Sequence, residues 1–345
     1  MKIGIDARLI NETGVGRYIR NLIGELAEID RENNYVVFLR RDNSWKSPNS
    51  RWEKRLADIP WHSIAEQIEL PKLFGREHLD LLHVPYFTVP IFYAGKFVVT
   101  IHDLTILHFS TGKATTLPLP FYWAKLFGYR AILEIGLHRA SGVIAVSGAT
   151  KEELMDHFAL DERKISVIHE GVREGKSNKR LIKRSYFLYV GNAYPHKNLE
   201  MLLRAIGEKT LVLVGKEDLF YKRLPRPSNV IFFGQANDEQ LASLYTYATA
   251  LVFPSLMEGF GLPALEAAAC GTPVICSDIP AFREILGPLG NYFMPKDTSA
   301  LRALIAHPEK LKKPTKEEQQ ELLKRFSWRQ MAEKTLQIFK DVGCQ

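Results

Sequence analysis

Glu258 and Glu266 are two carboxylates on either side of a glycine-bearing run, Gly259-Phe260-Gly261-Leu262-Pro263. The run follows a short apolar stretch, Ala250 to Phe253, that suits a buried strand. It leads into Ala264-Leu265-Glu266-Ala267-Ala268-Ala269 and closes at Gly271. The pattern predicts strand, loop, helix, turn and a second strand from Val274. Glycine lets the backbone turn tightly and come close to a ligand. Pro263 fits the first turn of a helix, and Gly271 fits its stop. A helix that begins in such a loop presents N–H groups and a positive dipole end to an anion. Acids beside an anion site grip hydroxyls, so the combination suits a phosphorylated sugar better than a bare phosphate. The plainer alternative is a turn followed by a solvated glutamate. It fits less well, because the helix is apolar on nearly every side and a buried carboxylate needs partners.

Other residues could join this chemistry. His102-Asp103 follows the apolar run Phe97 to Ile101, at the carboxyl end of an expected strand. Open α/β sheets place ligands at that edge, so this histidine is either structural or part of a site. Gly14 and Gly16 precede a helix that runs to about Ile29 and could admit a phosphate or an acceptor hydroxyl. Ile19 stands where a dinucleotide fingerprint needs its third glycine, which argues against a nicotinamide dehydrogenase. Ser147 reads as a helix cap, with a phosphate-facing hydroxyl as the alternative. The stretch 113–139 carries Phe121, Tyr122, Trp123, Phe127 and Tyr129 with Lys113, Lys125, Arg130 and Arg139. It is either a core-facing helix with a solvated back or a surface that rests on a membrane interface or a lipid-linked acceptor.

These residues need a frame to position them. The chain has 345 residues, enough for two domains, and its 46% hydrophobic and 25% charged content belongs to a globular protein rather than a disordered one. Cys270, Cys276 and Cys344 make no metal spacing and no disulfide framework, which suits a reducing compartment. The opening Met1-Lys2-Ile3-Gly4-Ile5-Asp6 reads as a strand rather than a signal peptide, and no apolar run approaches the ~20 residues of a membrane span. The net charge of +7 falls after residue 171, much of it in Arg173, Lys176, Lys179, Arg180, Lys183 and Arg184. That run reads as a solvated linker, and without interleaved aromatics nucleic acid is not the expected partner.

Strands expected at 2–6, 35–39, 79–84, 97–101, 143–146 and 165–169, with 41–60 read as loop, make a first α/β domain. A second begins with Tyr186 to Gly191. It continues with strands at 211–214, 230–233 and 250–253, alternating with helices at 199–206, 237–248 and 261–269. Helices at 299–306, 315–325 and 327–342 follow. Such alternation predicts parallel sheets. The expected division is 1–172, a basic linker 173–184, a second domain 185–326, and a final helical segment 327–345 packing back on the first domain.

The run Glu258-Gly-Phe-Gly-Leu-Pro-Ala-Leu-Glu266, followed by Ala-Cys-Gly-Thr-Pro-Val, resembles the signature of the retaining GT-B glycosyltransferases of family 4. Phe187-Leu-Tyr-Val-Gly-Asn-Ala-Tyr-Pro-His-Lys-Asn-Leu-Glu200, Ala145-Val-Ser-Gly-Ala-Thr150 and Phe326-Ser-Trp328 are similar to other parts of that family. Ile3-Gly-Ile-Asp-Ala-Arg8 with Gly14-Val-Gly-Arg17 resembles its bacterial mannosyltransferases. The resemblance implies an α/β GT-B fold, two Rossmann-like domains with parallel sheets facing across a cleft. The N-terminal domain would take the acceptor and the C-terminal domain the nucleotide sugar. It implies that Lys197 grips the donor diphosphate, Glu258 binds sugar hydroxyls near the reacting carbon, and Glu266 binds the ribose diol. Gly191, Asn192 and the amides of Gly259, Phe260, Gly261 and Leu262 would line the nucleotide-sugar site. His102 would face the donor sugar, and Gly14 and Gly16 would lie over the phosphates or the acceptor. Two departures stand out: Asn192 is near where many members carry an arginine, and His169-Glu-Gly-Val-Arg173 replaces the common Asn-Gly-Val-Asp turn.

By the same resemblance the donor is GDP-mannose, with UDP-glucose the alternative, and the acceptor is a glycan or lipid-linked saccharide. The expected location is the cytoplasm, at the inner face of the membrane through peripheral contact. No metal ion or cofactor is expected, since no Asp-x-Asp occurs in the chain. Two rivals stand beside this reading: a GT-B nucleotide-sugar 2-epimerase, which shares the fold but lacks this Glu-x7-Glu spacing, and a non-catalytic sugar-nucleotide-binding protein.

Overall fold

The computed structural model describes residues 1–41, 45–61, 63–87, 89–109, 119–175 and 177–343. The chain divides into two compact units, Met1–Gly171 with Trp328–Gln345, and Val172–Ser327. Each is built on a parallel sheet with helices in the crossovers.

The first unit holds β1 (Lys2–Asp6), β2 (Asn34–Leu39), β3 (Trp52–Leu56), β4 (Leu81–Val84), β5 (Phe97–Ile101), β6 (Gly142–Ala145) and β7 (Ile165–Val167). Their order is β3-β2-β1-β4-β5-β6-β7, and every pairing is parallel. β1, β4, β5 and β6 are buried along nearly their whole length, as strands covered on both faces must be. β3 lies in the stretch that reads as loop. As an edge strand it buries Trp52 while Glu53, Lys54, Arg55 and Leu56 stay partly or fully exposed, so it lacks an apolar run. Trp52 stacks on Tyr35 with ring centres 4.0 Å apart.

The helix Gly14–Ile29 buries Tyr18, Ile19, Leu22, Ile23 and Leu26 on one face. The final helix, Trp328–Gly343, packs against it and belongs to the same unit. The helix Leu119–Arg139 leaves Trp123, Phe127 and Ile135 exposed. Residues 113–118 of the expected helical stretch, and the side chains of Phe121, Tyr122 and Lys125, lie outside the described residues.

The second unit holds β8 (Phe187–Val190), β9 (Leu211–Val214), β10 (Val230–Gly234), β11 (Ala250–Phe253), β12 (Val274–Ser277) and β13 (Gly290–Phe293), in the order β10-β9-β8-β11-β12-β13. Two of its helices start on reciprocal capping boxes, Asn237 with Gln240 and Thr315 with Glu318. The basic stretch read as a linker is held on this unit. Ser243 Oγ donates to the Lys179 carbonyl at 2.5 Å, and Cys270 Sγ lies 3.3 Å from the Gly175 carbonyl. Lys176 and Cys344 lie outside the described residues.

A buried polar ladder runs beneath the first sheet. The hydroxyls of Tyr18 and Thr100 share a hydrogen bond at 3.2 Å, and His83 Nε2 meets Thr100 Oγ1 at 2.9 Å. His83 is fully buried and its Nδ1 has no partner among the described residues. Burial, with a smaller push from His102, holds the His83 imidazolium down to about 3.

Two predictions come from this packing. A Cβ on Gly16 would lie 2.6 Å from the Ile10 carbonyl oxygen, whereas one on Gly14 would meet nothing within 4 Å. Gly16→Ala should therefore destabilise by about 1–3 kcal/mol, as overpacking does, while Gly14→Ala should be neutral or stabilising. Urea unfolding compares them, and equal midpoints would contradict the packing. For His83, the native ring binds its proton less readily than the unfolded one. Its stability contribution is complete above pH 6.5 and is lost progressively as pH falls toward 3. His83→Gln should flatten acid destabilisation in that window by up to about 1.4 kcal/mol per pH unit. An unchanged slope would show that His83 is already protonated in the native state.

Candidate active site

In the second sheet the strand order reverses between β8 and β11. Ligands of open α/β sheets bind at such a reversal, beyond the carboxyl ends of the strands. The loops that leave these two strands carry the residues singled out in the sequence.

From β8 the chain passes through Gly191 and Asn192 into the short turn Pro195–Lys197. Gly191 N–H donates to the Val214 carbonyl at 2.9 Å, and its own carbonyl accepts from the Tyr221 hydroxyl at 2.6 Å. The Asn192 carbonyl accepts from the Tyr189 hydroxyl at 2.6 Å, and Asn192 Oδ1 accepts from the Tyr194 amide at 3.3 Å. These contacts shape the loop. The Leu256 amide donates to the His196 carbonyl at 2.7 Å, tying this loop to the one that leaves β11. The tie brings Lys197 Nζ within 2.6 Å of Glu258 Oε1, with side chains 14% and 10% exposed. The same ammonium lies 5.6 Å from the centre of the Phe253 ring.

Gly259, Phe260, Gly261 and Leu262 are all buried. Phe260 packs edge-on against Phe326 at 5.8 Å and anchors the run. Gly261 has φ +100°, and a Cβ there would lie 2.6 Å from Phe282 Cε1, so only glycine fits. It caps the helix Leu262–Ala269 with no side chain to accept the first-turn amides. That helix buries Leu262, Ala264, Leu265, Ala267, Ala268 and Ala269. Glu266 is half-buried on it, and its Oε2 accepts from the Tyr245 hydroxyl at 2.9 Å. Tyr245 is fixed in turn, its carbonyl accepting from Thr272 Oγ1 at 2.6 Å. Burial, reinforced by the charge of Glu266, pushes the Cys270 thiol up to about 12, so that sulfur is inert at neutral pH.

Sequence reasoning missed Tyr245 and Ser255. An aromatic on an ordinary helix carries no signature of a carboxylate partner. Ser255 follows β11, is fully buried, and its hydroxyl has no partner among the described residues.

In the first unit, His102 follows β5 directly. Its Nδ1 meets Glu170 Oε1 at 2.8 Å and its Nε2 meets the Pro85 carbonyl at 3.1 Å. Tyr18 packs edge-on against the ring at 4.8 Å. Both ring nitrogens are thus engaged within the unit, and a bond to a sugar would require one of them to be given up. Glu170 belongs to the turn where the common asparagine is replaced, and its carboxylate serves as the partner of His102. Gly14 and Gly16, expected ahead of the first helix, lie in its first turn; Gly14 is exposed and Gly16 is buried against Ile10, so Gly16 is a packing residue. At the end of β1, Arg8 donates to Asp6 and to Glu66, each at 2.8 Å, in a fully buried cluster. Ser147 caps the helix Gly148–Phe158, accepting from the Thr150 amide at 3.0 Å.

The structure therefore gathers Gly191, Asn192, Lys197, Glu258, Gly259, Phe260, Gly261, Leu262 and Glu266 at one edge of the second sheet. His102, Gly14 and Gly16 belong to the first unit. Chemically, the second unit offers an ammonium and a helix start for phosphate, and two carboxylates for hydroxyls.

Comparisons with known proteins agree with this arrangement. Residues 13–175 match the family model described as Glycosyltransferase Family 4, and residues 172–335 match Glycosyl transferases group 1. An O-antigen chain mannosyltransferase of Salmonella typhimurium is 28% identical over 278 residues, 76% of this chain and 74% of that protein. An MMP alpha-(1->4)-mannosyltransferase of Mycolicibacterium hassiacum is 28% identical over 225 residues, 57% of this chain and 53% of that one. Among solved structures, sucrose-phosphate synthase from Thermosynechococcus elongatus superposes with a TM-score of 0.79 at 21% identity, covering 99% of each chain. Anabaena HepE, in complex with UDP and glucose, gives 0.73 at 16% identity, covering 98% of this chain and 99% of that one. These structural likenesses establish the GT-B fold. With the two family models spanning residues 13–335 between them, the chain belongs to the family 4, group 1 glycosyltransferases.

Proposed function

We propose that the protein is a retaining mannosyltransferase that moves mannose from GDP-mannose to a hydroxyl of a glycan or lipid-linked glycan, without a metal ion. The observation that carries this reading is the 2.6 Å contact of Lys197 with Glu258 at the strand-order reversal of the second sheet. It lies in the loops beside a helix that starts on a glycine. The relatives named as mannosyltransferases support mannose as the sugar.

Breaking the bond between the anomeric carbon and the donor oxygen leaves negative charge on the diphosphate. Lys197 and the amides at the start of the helix Leu262–Ala269 neutralise that charge as it develops, which is often the largest catalytic term. Glu258 grips sugar hydroxyls, and Glu266, held by Tyr245, takes the ribose diol. The first unit carries the acceptor. Retention follows from attack on the face the diphosphate leaves, with a phosphate oxygen taking the acceptor's proton. Glu258 is taken up with sugar hydroxyls in this reading and the motif offers no second free carboxylate, which supports this route over a covalent one. Lys197 acts as the positive partner, and the chain has no Asp-x-Asp run to hold a metal.

Lys197→Ala and Glu258→Ala should each lower turnover by roughly 10²–10³-fold while circular dichroism stays unchanged. Turnover near the wild-type value in either variant would remove that residue from the site. Glu266→Ala should chiefly weaken the nucleoside diphosphate in calorimetry. A thermal-shift comparison should show GDP raising the melting temperature more than UDP. The reverse order would move the donor to the UDP-sugar class, and accumulation of a mannosyl ester on Glu258 would overturn same-face attack.

A further inference from the structure

We infer that His108 and His157 form a binding site for a first-row divalent metal of the zinc class, with Glu153 as a third ligand, separate from the chemistry of transfer. His108 ends the short helix Thr105–His108, and His157 lies on the helix Gly148–Phe158, both in the first unit. Their Nε2 atoms are 3.2 Å apart, with ring centres at 4.9 Å and planes at 73°. Two imidazoles sharing a zinc at ~2.0–2.1 Å with this nitrogen separation would subtend about 100° at the metal and place their ring centres about 5 Å apart. A head-on N–H···N hydrogen bond of the same length would place them about 5.5 Å apart. The observed separation matches two rings aimed at a common point.

Glu153 shares a helix face with His157, one turn earlier, and its Oε2 lies 3.9 Å from His108 Nε2. No group of three histidine, cysteine, aspartate or glutamate side chains already stands in ligand geometry among the described residues. Rotation of the Glu153 carboxylate toward the pair supplies the third ligand. The neighbouring Lys151 is already paired with Glu162 at 2.8 Å. His108 and Glu153 are about one-third exposed, which leaves an entry path. Imidazole with one carboxylate suits zinc, nickel or copper rather than magnesium or calcium. A bound ion would fasten the segment after His102-Asp103 to the helix Gly148–Phe158.

The test uses untagged, metal-stripped full-length protein titrated with Zn²⁺ by calorimetry and with Co²⁺ by visible absorption. One equivalent should bind in the micromolar range, with the ligand-field bands of a nitrogen-coordinated cobalt. His108→Ala and His157→Ala should each weaken binding by about tenfold or more, and Glu153→Gln by less, with circular dichroism unchanged. Absence of saturable binding below millimolar Zn²⁺, or unchanged binding in both histidine variants, would overturn the site. Loss in the histidine variants with none in Glu153→Gln would overturn the part given to Glu153. Zinc affinity is read without activity, so it stands or falls independently of the proposed transfer reaction.

Discussion

The ion pair between Lys197 and Glu258 is the constraint around which the second unit is arranged. Both side chains are largely withdrawn from water, and removing one partner from a buried pair costs about 3–5 kcal/mol because the other charge is left uncompensated. An ammonium held this way is fixed in place before any ligand arrives. In the proposed reaction a diphosphate entering beside it would offer a second anion, so the ammonium would move between two negative partners rather than from water into the protein. That exchange would avoid most of the desolvation an isolated lysine would suffer, and it would leave Glu258 to accept from sugar hydroxyls. The backbone tie from Leu256 to His196 and the packing of Phe260 on Phe326 hold the two loops in register. No helix among the described residues is long and apolar enough to cross a membrane.

The first unit solves a similar problem by different means. Arg8 lies between Asp6 and Glu66, and His102 lies between Glu170 and the Pro85 carbonyl. Each group is given polar partners on more than one side, which is how a low-dielectric interior tolerates polar side chains. The substitution of Glu170 for the asparagine common in this turn follows the same logic, since a carboxylate holds an imidazole more firmly than an amide does.

The interior strands were legible because covered parallel strands must be apolar without interruption, as Phe97 to Ile101 and Ala250 to Phe253 are. The glycine run was legible because a left-handed residue with no room for a Cβ leaves one choice, and Gly261 is that residue. Two edge strands were not: Trp52–Leu56 lies in the stretch read as loop, Gly290–Phe293 was not expected as a strand, and each buries little. The helix Ile64–Arg76 was also missed, in part because Pro71 lies inside it. Glu266 and His102 could be found as candidates, but their partners Tyr245 and Glu170 could not. A hydrogen bond across 21 or 68 positions leaves no periodic trace in the chain.

The role given to Lys197 is tested most directly by how much the second phosphate adds to nucleotide affinity. Calorimetry of GDP against GMP, in wild type and in Lys197→Met, isolates that increment. If the ammonium meets the terminal phosphate, GDP should bind more tightly than GMP to the wild type and nearly equally to the variant. An advantage of GDP over GMP that survives undiminished in Lys197→Met would contradict it.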